Sequence, residues 1–330
     1  MHDPALPTLP QVLDVERVLP YLAQALDQQA DELARRSPQV ELLRHRQGKR
    51  CAVRYCFAGD EQRERQALIG KVYHKGKKLT KTFARQSSLS ETFNGGGRVR
   101  VARPLVSVES LGLLLLEYID ARDMRYALAE GKGGVPASLA GEFLARLHAI
   151  PPFAKMEQGT VDDELEKVGA WLSRVAVGIG NVPELAQLRA HMDSRARDLA
   201  LSPASMIHRD FYYAHVLYAD DSIWVLDFDQ LGIGDPSYDL GLFLAHLEEL
   251  AFTTTGSWDG YADEARAFVE GYRSHAPAWC LPGIDARMQF YVGCGLIKLA
   301  SKLATRQPEG WREGVRAILE RALARAADTP

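Results

Sequence analysis

The chain has 330 residues, 46% of them hydrophobic and 25% charged, with a formal net charge of −3. That length exceeds the usual single domain, and the composition is that of a globular protein with a sizeable core, not of a disordered or fibrous chain. So small a net charge gives no global reason to expect nucleic acid or a membrane surface as a partner. The charge is nevertheless uneven: residues 1–117 carry 19 Lys/Arg against 13 Asp/Glu, and residues 118–330 carry 21 against 30. This suits a phosphate-handling first part and a second part tolerant of cationic ligands, or simply two solvated surfaces.

Residues 14–35 (DVERVLPYLAQALDQQADELAR) place apolar side chains at Val15, Val18, Leu19, Leu22 and Leu26, a spacing that predicts one helix. The period then changes. VELLRHRQGKRCAVRYCFAG reads as two strands joined by the basic turn RQGKR, and ALIGKVYH as a third. KKLTKTFARQSSLSETF returns to helical spacing and stops at NGGG (94–97), a strong terminator that precedes a strand, the wrong order for an anion cradle. RVRVARPLVSV and LGLLLLEYI read as a strand pair, the second continuously apolar and therefore buried. Helices dominate afterwards. Residues 136–150, 161–178 and 183–200 read as amphipathic; YDLGLFLAHLEEL, DGYADEARAFVEGYRSH, IDARMQFYVGCGLIKLASKLATR and GWREGVRAILERALARAA complete the set. The expected domains are therefore 1–117, with a leading helix, an antiparallel sheet and one helix, and an α-rich 118–330.

The four cysteines, Cys51, Cys56, Cys280 and Cys294, show neither CxxC nor metal-ligand spacing. Cys51 and Cys56 fall on one strand, roughly 16 Å apart at about 3.3 Å per residue, too far to bridge. A reducing cytoplasm is the expected compartment. The N-terminal MHDPALPTLPQVLDVERV lacks the regions of a signal peptide, and no apolar run approaches the roughly 20 residues that span a bilayer.

The chemistry is concentrated in HRDFYYAHVLYADDSIWVLDFDQLGIGDPSYDL (208–240). Two aspartates, Asp210 and Asp227, flank a tight β-hairpin, and His215 stands between them. A group able to accept a proton from an attacking hydroxyl, close to a group able to hold Mg²⁺, is what phosphoryl transfer needs, because the protein mainly positions the reactants and neutralises charge. The segments HRDFYYAH, IWVLDFDQ and GDPSYDL resemble the HxDxxxxN, D-F-type aspartate and GDPxxDL elements of the aminoglycoside phosphotransferase and choline kinase-like family. These are small-molecule kinases with a bilobal protein-kinase-like fold of α+β class, a β-rich N-lobe and an α-rich C-lobe with an ATP cleft between them.

The resemblance implies Asp210 as catalytic aspartate, Asp227 as Mg²⁺ ligand and Asp239 as a buried brace under the catalytic loop, within a catalytic hairpin region spanning 206–240. His215 stands where the family usually offers Asn. It can ligate a metal (with Mn²⁺ as an alternative to Mg²⁺), hold a metal-bound water or phosphate oxygen, or serve only the local structure. Lys71 in ALIGKVYH is the candidate for gripping the phosphates of ATP. Glu91, the only acidic residue between Lys71 and Glu109, is its candidate ion-pair partner. The turn around Gly48 would cover the phosphates, with Lys49 and Arg50 adding charge or only completing the turn. The backbone of Glu117 and Ile119 would meet the adenine. His208 reads as a structural member of the loop and His148 as a satisfied core histidine, while Tyr212 and Tyr213 either flank an acceptor or fill the core.

The leading reading is an ATP-dependent phosphotransferase acting on a hydroxyl of a small molecule such as an aminoglycoside, a sugar or an amino alcohol, cationic acceptors included. The rival is a nucleotide-binding regulatory module without transfer, favoured by His215 and by a phosphate loop with a single glycine.

Overall fold

Three short helices open the chain, α1 (Leu9–Val12), α2 (Val15–Leu26) and α3 (Ala30–Arg35). The computed structural model describes residues 3–59, 65–74, 77–200 and 202–327, without the side chains of 77, 78, 326 and 327. The single helix expected over 14–35 is broken at Asp27, which turns left-handed at φ +53 and caps α2 through its N–H to Ala23 O and Gln24 O. Aspartate tolerates that conformation better than most residues.

Two compact units make up the chain, and the first comprises Met1–Ala121 with Trp224–Phe228. After the helices come β1 (Gln39–Arg46), β2 (Arg50–Phe57), β3 (Gln66–Tyr73), α4 (Lys77–Phe93), β4 (Val99–Val101), β5 (Pro104–Val108) and β6 (Leu113–Glu117). Five strands form an antiparallel sheet in the order β1-β2-β3-β6-β5. Alternation sorts its two faces. Val53, Tyr55, Phe57, Leu113 and Leu115 meet Leu9, Val12, Val18 and Leu22 on one side, whereas Tyr73, Leu114 and Leu116 meet Leu79 and Phe83 of α4 on the other. RVRVARPLVSV, expected as one strand, divides at Ala102–Arg103 ahead of Pro104, which has no N–H to give a ladder. Asn94, just past α4, also steadies β4, its side chain accepting from Val101 N and donating to Val101 O at 3.0 Å each.

Helices dominate the second unit, Arg122–Ile223 with Asp229–Pro330. It holds β7 (Arg122–Asp123), α5 (Met124–Ala129), α6 (Gly134–Ala149), α7 (Val161–Ile179), α8 (Pro183–Asp198), β8 (Ser205–Ile207) and β9 (Val216–Ala219). β10 (Ser222–Val225) carries the chain into the first unit, and β11 (Gly232–Gly234), α9 (Ser237–Thr255), α10 (Ala262–His275), α11 (Ile284–Arg306) and α12 (Trp311–Ala327) follow. β7 pairs with β9 and β8 with β11, both antiparallel. α6, expected to be amphipathic, is buried nearly all round, with Ala137, Ala140, Phe143, Leu144 and Leu147 among its covered residues. It lies so close to α10 that a Cβ on Gly141 would stand 2.0 Å from Phe268 O, and one on Gly271 2.1 Å from Ser138 O. No helix among the described residues is long and apolar enough to cross a membrane.

Candidate active site

Asp239, fully buried in the first turn of α9, organises the loop that follows β8. Its Oδ2 accepts the N–H of His208 at 2.6 Å and its Oδ1 that of Arg209 at 2.8 Å. His148 Nε2, on α6, lies 3.2 Å from Oδ2, and its Nδ1 lies 3.0 Å from the Tyr272 hydroxyl on α10. One carboxylate thus satisfies two consecutive N–H groups that lie beyond the end of β8. It also fixes Arg209 at φ +67, a left-handed conformation worth about 1–3 kcal/mol of strain for a non-glycine residue. On the other side of Asp210, fully buried Phe211 stacks on Phe143 (5.7 Å) and Phe243 (5.6 Å). Asp210 itself is partly exposed, held between two buried anchors.

His215 is buried, and its Nδ1 lies 2.7 Å from the main-chain oxygen of Asp210. A carbonyl only accepts, so Nδ1 carries a proton, and in the neutral tautomer the lone pair is on Nε2. The histidine therefore braces the loop through one nitrogen while presenting the other as a donor atom for a ligand. Tyr212 packs against it with ring centroids 4.4 Å apart, and against His246 of α9 at 4.5 Å.

In the first unit, Asp227 is also left-handed, at φ +66. Its carboxylate meets Lys71 Nζ at 3.2 Å, and Arg50 grips both oxygens, Nη1 at 3.2 Å from Oδ1 and Nη2 at 3.1 Å from Oδ2. Register explains the convergence: Arg50 stands opposite Tyr73 and Ala52 opposite Lys71, so both cations project from one face of neighbouring strands. The ion pair expected between Lys71 and Glu91 is not the one formed. Thr82, Gln86, Leu89 and Phe93 mark the buried stripe of α4, whereas Glu91 falls off that stripe and is exposed. Arg50, read from the sequence only as a possible addition of charge, is the residue that reasoning undervalued. The cue was there, because strand alternation already puts it on the Lys71 face.

Gly48 sits at φ +74 in the β1–β2 turn, and its N–H donates to Asp3 Oδ2 at 2.9 Å, while His45 Nε2 lies 2.8 Å from the same oxygen. The Gly48 N–H, more than His45, holds the Asp3 carboxyl below the ordinary aspartate range. Glu117 N–H is committed to Arg103 O at 3.0 Å, and its carboxylate accepts Arg103 N and Nε at 2.8 Å each. Ile119 O accepts the N–H of Ala121 at 2.9 Å. A cavity of about 350 Å³ in the second unit, lined by Leu244, Leu247, Trp258, Val269 and Met288 among others, contains none of the expected site residues.

An antiparallel five-stranded sheet with α4 on one face and the leading helices on the other, followed by a helical unit bearing an aspartate-braced HRD loop, is the α+β fold of protein-kinase-like small-molecule phosphotransferases. The model of the Phosphotransferase enzyme family matches residues 52–278, and the chain belongs to that family. Among solved structures, a choline/ethanolamine kinase family protein from Mesorhizobium loti is 15% identical, with 94% of this chain and 96% of that one covered at a TM-score of 0.56. A macrolide 2′-phosphotransferase from Brachybacterium faecium is 17% identical, with coverages of 95% and 99% and a TM-score of 0.52. An amicoumacin kinase in complex with AMP-PNP and Ca²⁺ is 14% identical, with coverages of 88% and 89% and a TM-score of 0.58. At these identities the likeness is one of fold. The curated proteins contain no match.

Proposed function

We propose that the protein transfers the γ-phosphoryl group of ATP to a hydroxyl of a small molecule, with Asp210 as the base. The observation that carries this reading is the double grip of Asp239 on His208 and Arg209, which spends a buried carboxylate and a strained residue on presenting Asp210. Asp210 would orient the acceptor hydroxyl and take its proton. Lys71, pre-set beside Asp227, would grip the nucleotide phosphates, with the Gly48 turn over them and the main chain of Glu117–Ile119 toward the adenine.

The donor atoms suit a divalent ion. Asp227 offers hard carboxylate oxygens fit for Mg²⁺ or Mn²⁺, and His215 offers a neutral imidazole nitrogen that shifts preference toward softer first-row ions. Such an ion, when bound, neutralises charge on the transferring phosphates. The complex of amicoumacin kinase with AMP-PNP and Ca²⁺ supports use of a nucleotide with a divalent cation, and four free cysteines fit a reducing compartment.

Calorimetric titration of AMP-PNP with Mg²⁺ or Mn²⁺ tests the nucleotide half of the reading. Metal-dependent binding that weakens at least tenfold in Lys71→Met and loses its metal dependence in Asp227→Asn is expected. Binding indifferent to metal and to both substitutions would overturn it.

A further inference from the structure

Two helices of the second unit bring polar groups toward the loop of Asp210. α9 and α11 cross in contact: a Cβ on Gly241 would lie 2.5 Å from Tyr291 Cβ, and one on Gly295 2.6 Å from Ala245 Cβ. Immediately past Ala245, His246 stacks on Tyr212 with the rings inclined by 24°. It is 5% exposed, and its Nε2 is buried without a hydrogen-bond partner. One turn past Gly295 comes Lys298, then Lys302 and Arg306 along the same side of α11, at the four-residue spacing that stacks side chains.

Lys298 is only partly exposed and makes no hydrogen bond or ion pair among the described residues. Asp210 and Glu164 attract its ammonium, Lys167 and Arg209 repel it, and burial pushes its pKa down. Apart from Asp210, carboxylates of α7 and α9 are already spent or weakened. Glu164 is bonded to Lys167 at 2.8 Å, Glu248 to Arg321 at 2.8 Å, and burial raises the pKa of Glu249 despite Lys302 and Arg306.

We propose that Lys298, with His246 close by across the α9–α11 contact, receives an anionic group of the acceptor, so that the substrate is a hydroxyl compound bearing a carboxylate or phosphate. The inference rests on the phosphotransferase reading and specifies its acceptor. A half-buried ammonium with no hydrogen bond or close ion pair among the described residues gains charge-assisted hydrogen bonds from such a group. The ammonium groups of an aminoglycoside or of a choline-like alcohol would instead face Lys298, a repulsion that disfavours them. This is the opposite of the cationic acceptor suggested by the summed charge of the second half, because recognition depends on the few charges that face the ligand and not on a total.

The test is calorimetry on the full chain, with and without AMP-PNP and Mn²⁺, using glycerate, glycerol 3-phosphate, ethanolamine and kanamycin as probes. At least one anionic probe is expected to bind ten times more tightly than either cation. Lys298→Met should weaken that probe at least about tenfold, the loss of a charged hydrogen bond, and Lys298→Arg should retain most of its binding. The two anionic arms separate carboxylate from phosphate recognition. Preference for a cation, or anion binding that Lys298→Met leaves intact, would overturn the proposal, as would binding of neither anion in either state. AMP-PNP titrated into the same proteins reports separately on the nucleotide site, so failure of the phosphotransferase reading is distinguished from failure of the acceptor assignment.

Discussion

Replacing Asp239 with Asn exchanges one carboxylate oxygen for an amide NH₂ at nearly constant volume, beneath the loop that presents Asp210. The native carboxylate accepts from His208 N at 2.6 Å and from Arg209 N at 2.8 Å, so whichever way the amide turns, one buried N–H must face another donor. An orphaned buried donor costs about 1–3 kcal/mol, and reducing the surviving bond from charge-assisted to neutral costs about 1 kcal/mol more. The contact with His148 is recoverable by a change of tautomer. The substitution should therefore destabilise the second unit by about 2–4 kcal/mol, a large part of the 5–15 kcal/mol typical of a folded protein. Guanidinium unfolding followed by far-ultraviolet circular dichroism should show the midpoint falling with little change in slope, and Asp239→Ala, which orphans both N–H groups, should fall further. An Asp239→Asn protein within about 0.5 kcal/mol of the parent, the range of an ordinary surface change, would refute the brace.

Gly141→Ala should cost about 3 kcal/mol or more, since its Cβ would stand 2.0 Å from Phe268 O and 2.6 Å from Tyr272 N, backbone atoms that cannot step aside; an unchanged thermal midpoint would contradict this. Burial holds the pKa of His246 well below 6.5, so the unfolded chain takes up a proton first as pH falls. Stability from this source is complete above about pH 6.5 and declines below it, and His246→Phe should flatten that limb by up to about 1.4 kcal/mol per pH unit. Asp3 has a depressed pKa, so its contribution is present above the ordinary value of 3.8 and is lost as pH falls through the lower folded value. Asp3→Asn should remove that acid limb and speed hydrogen exchange at the Gly48 amide, and unaltered exchange would rule out the tether.

Local chemistry made much of this legible from residue order. Period and terminators placed β1, β2, β3 and α4 within a residue or so, because NGGG and the RQGKR turn leave the chain few alternatives. The HRD loop and its supporting Asp239 were readable through the resemblance of HRDFYYAH and GDPSYDL to the family's motifs, and not from spacing alone. The depth of a helix was not. α6 looks amphipathic in isolation and is enclosed in part because Gly141 and Gly271 admit α10 at backbone contact. Partner choice among charges was equally hidden. Lys71 had one acidic candidate nearby in sequence, yet helix phase turned Glu91 outward and the carboxylate came from Asp227, some 156 positions along the chain. The pairing of Asp3 with Gly48 and the lone ammonium of Lys298 lay beyond sequence reasoning for the same reason, since both depend on distant packing.

The most direct test of the central claim is transfer from ATP, with Mg²⁺ or Mn²⁺, to pooled aminoglycosides, sugars, amino alcohols and hydroxy acids, read as a phosphate mass shift beside an Asp210→Asn control. A product whose rate falls by about 10²–10⁴ in the control, with thermal midpoint and AMP-PNP affinity retained, is the result expected if Asp210 is the base. A product formed as fast by the control, or metal-dependent nucleotide binding with no product from any pool, would contradict it.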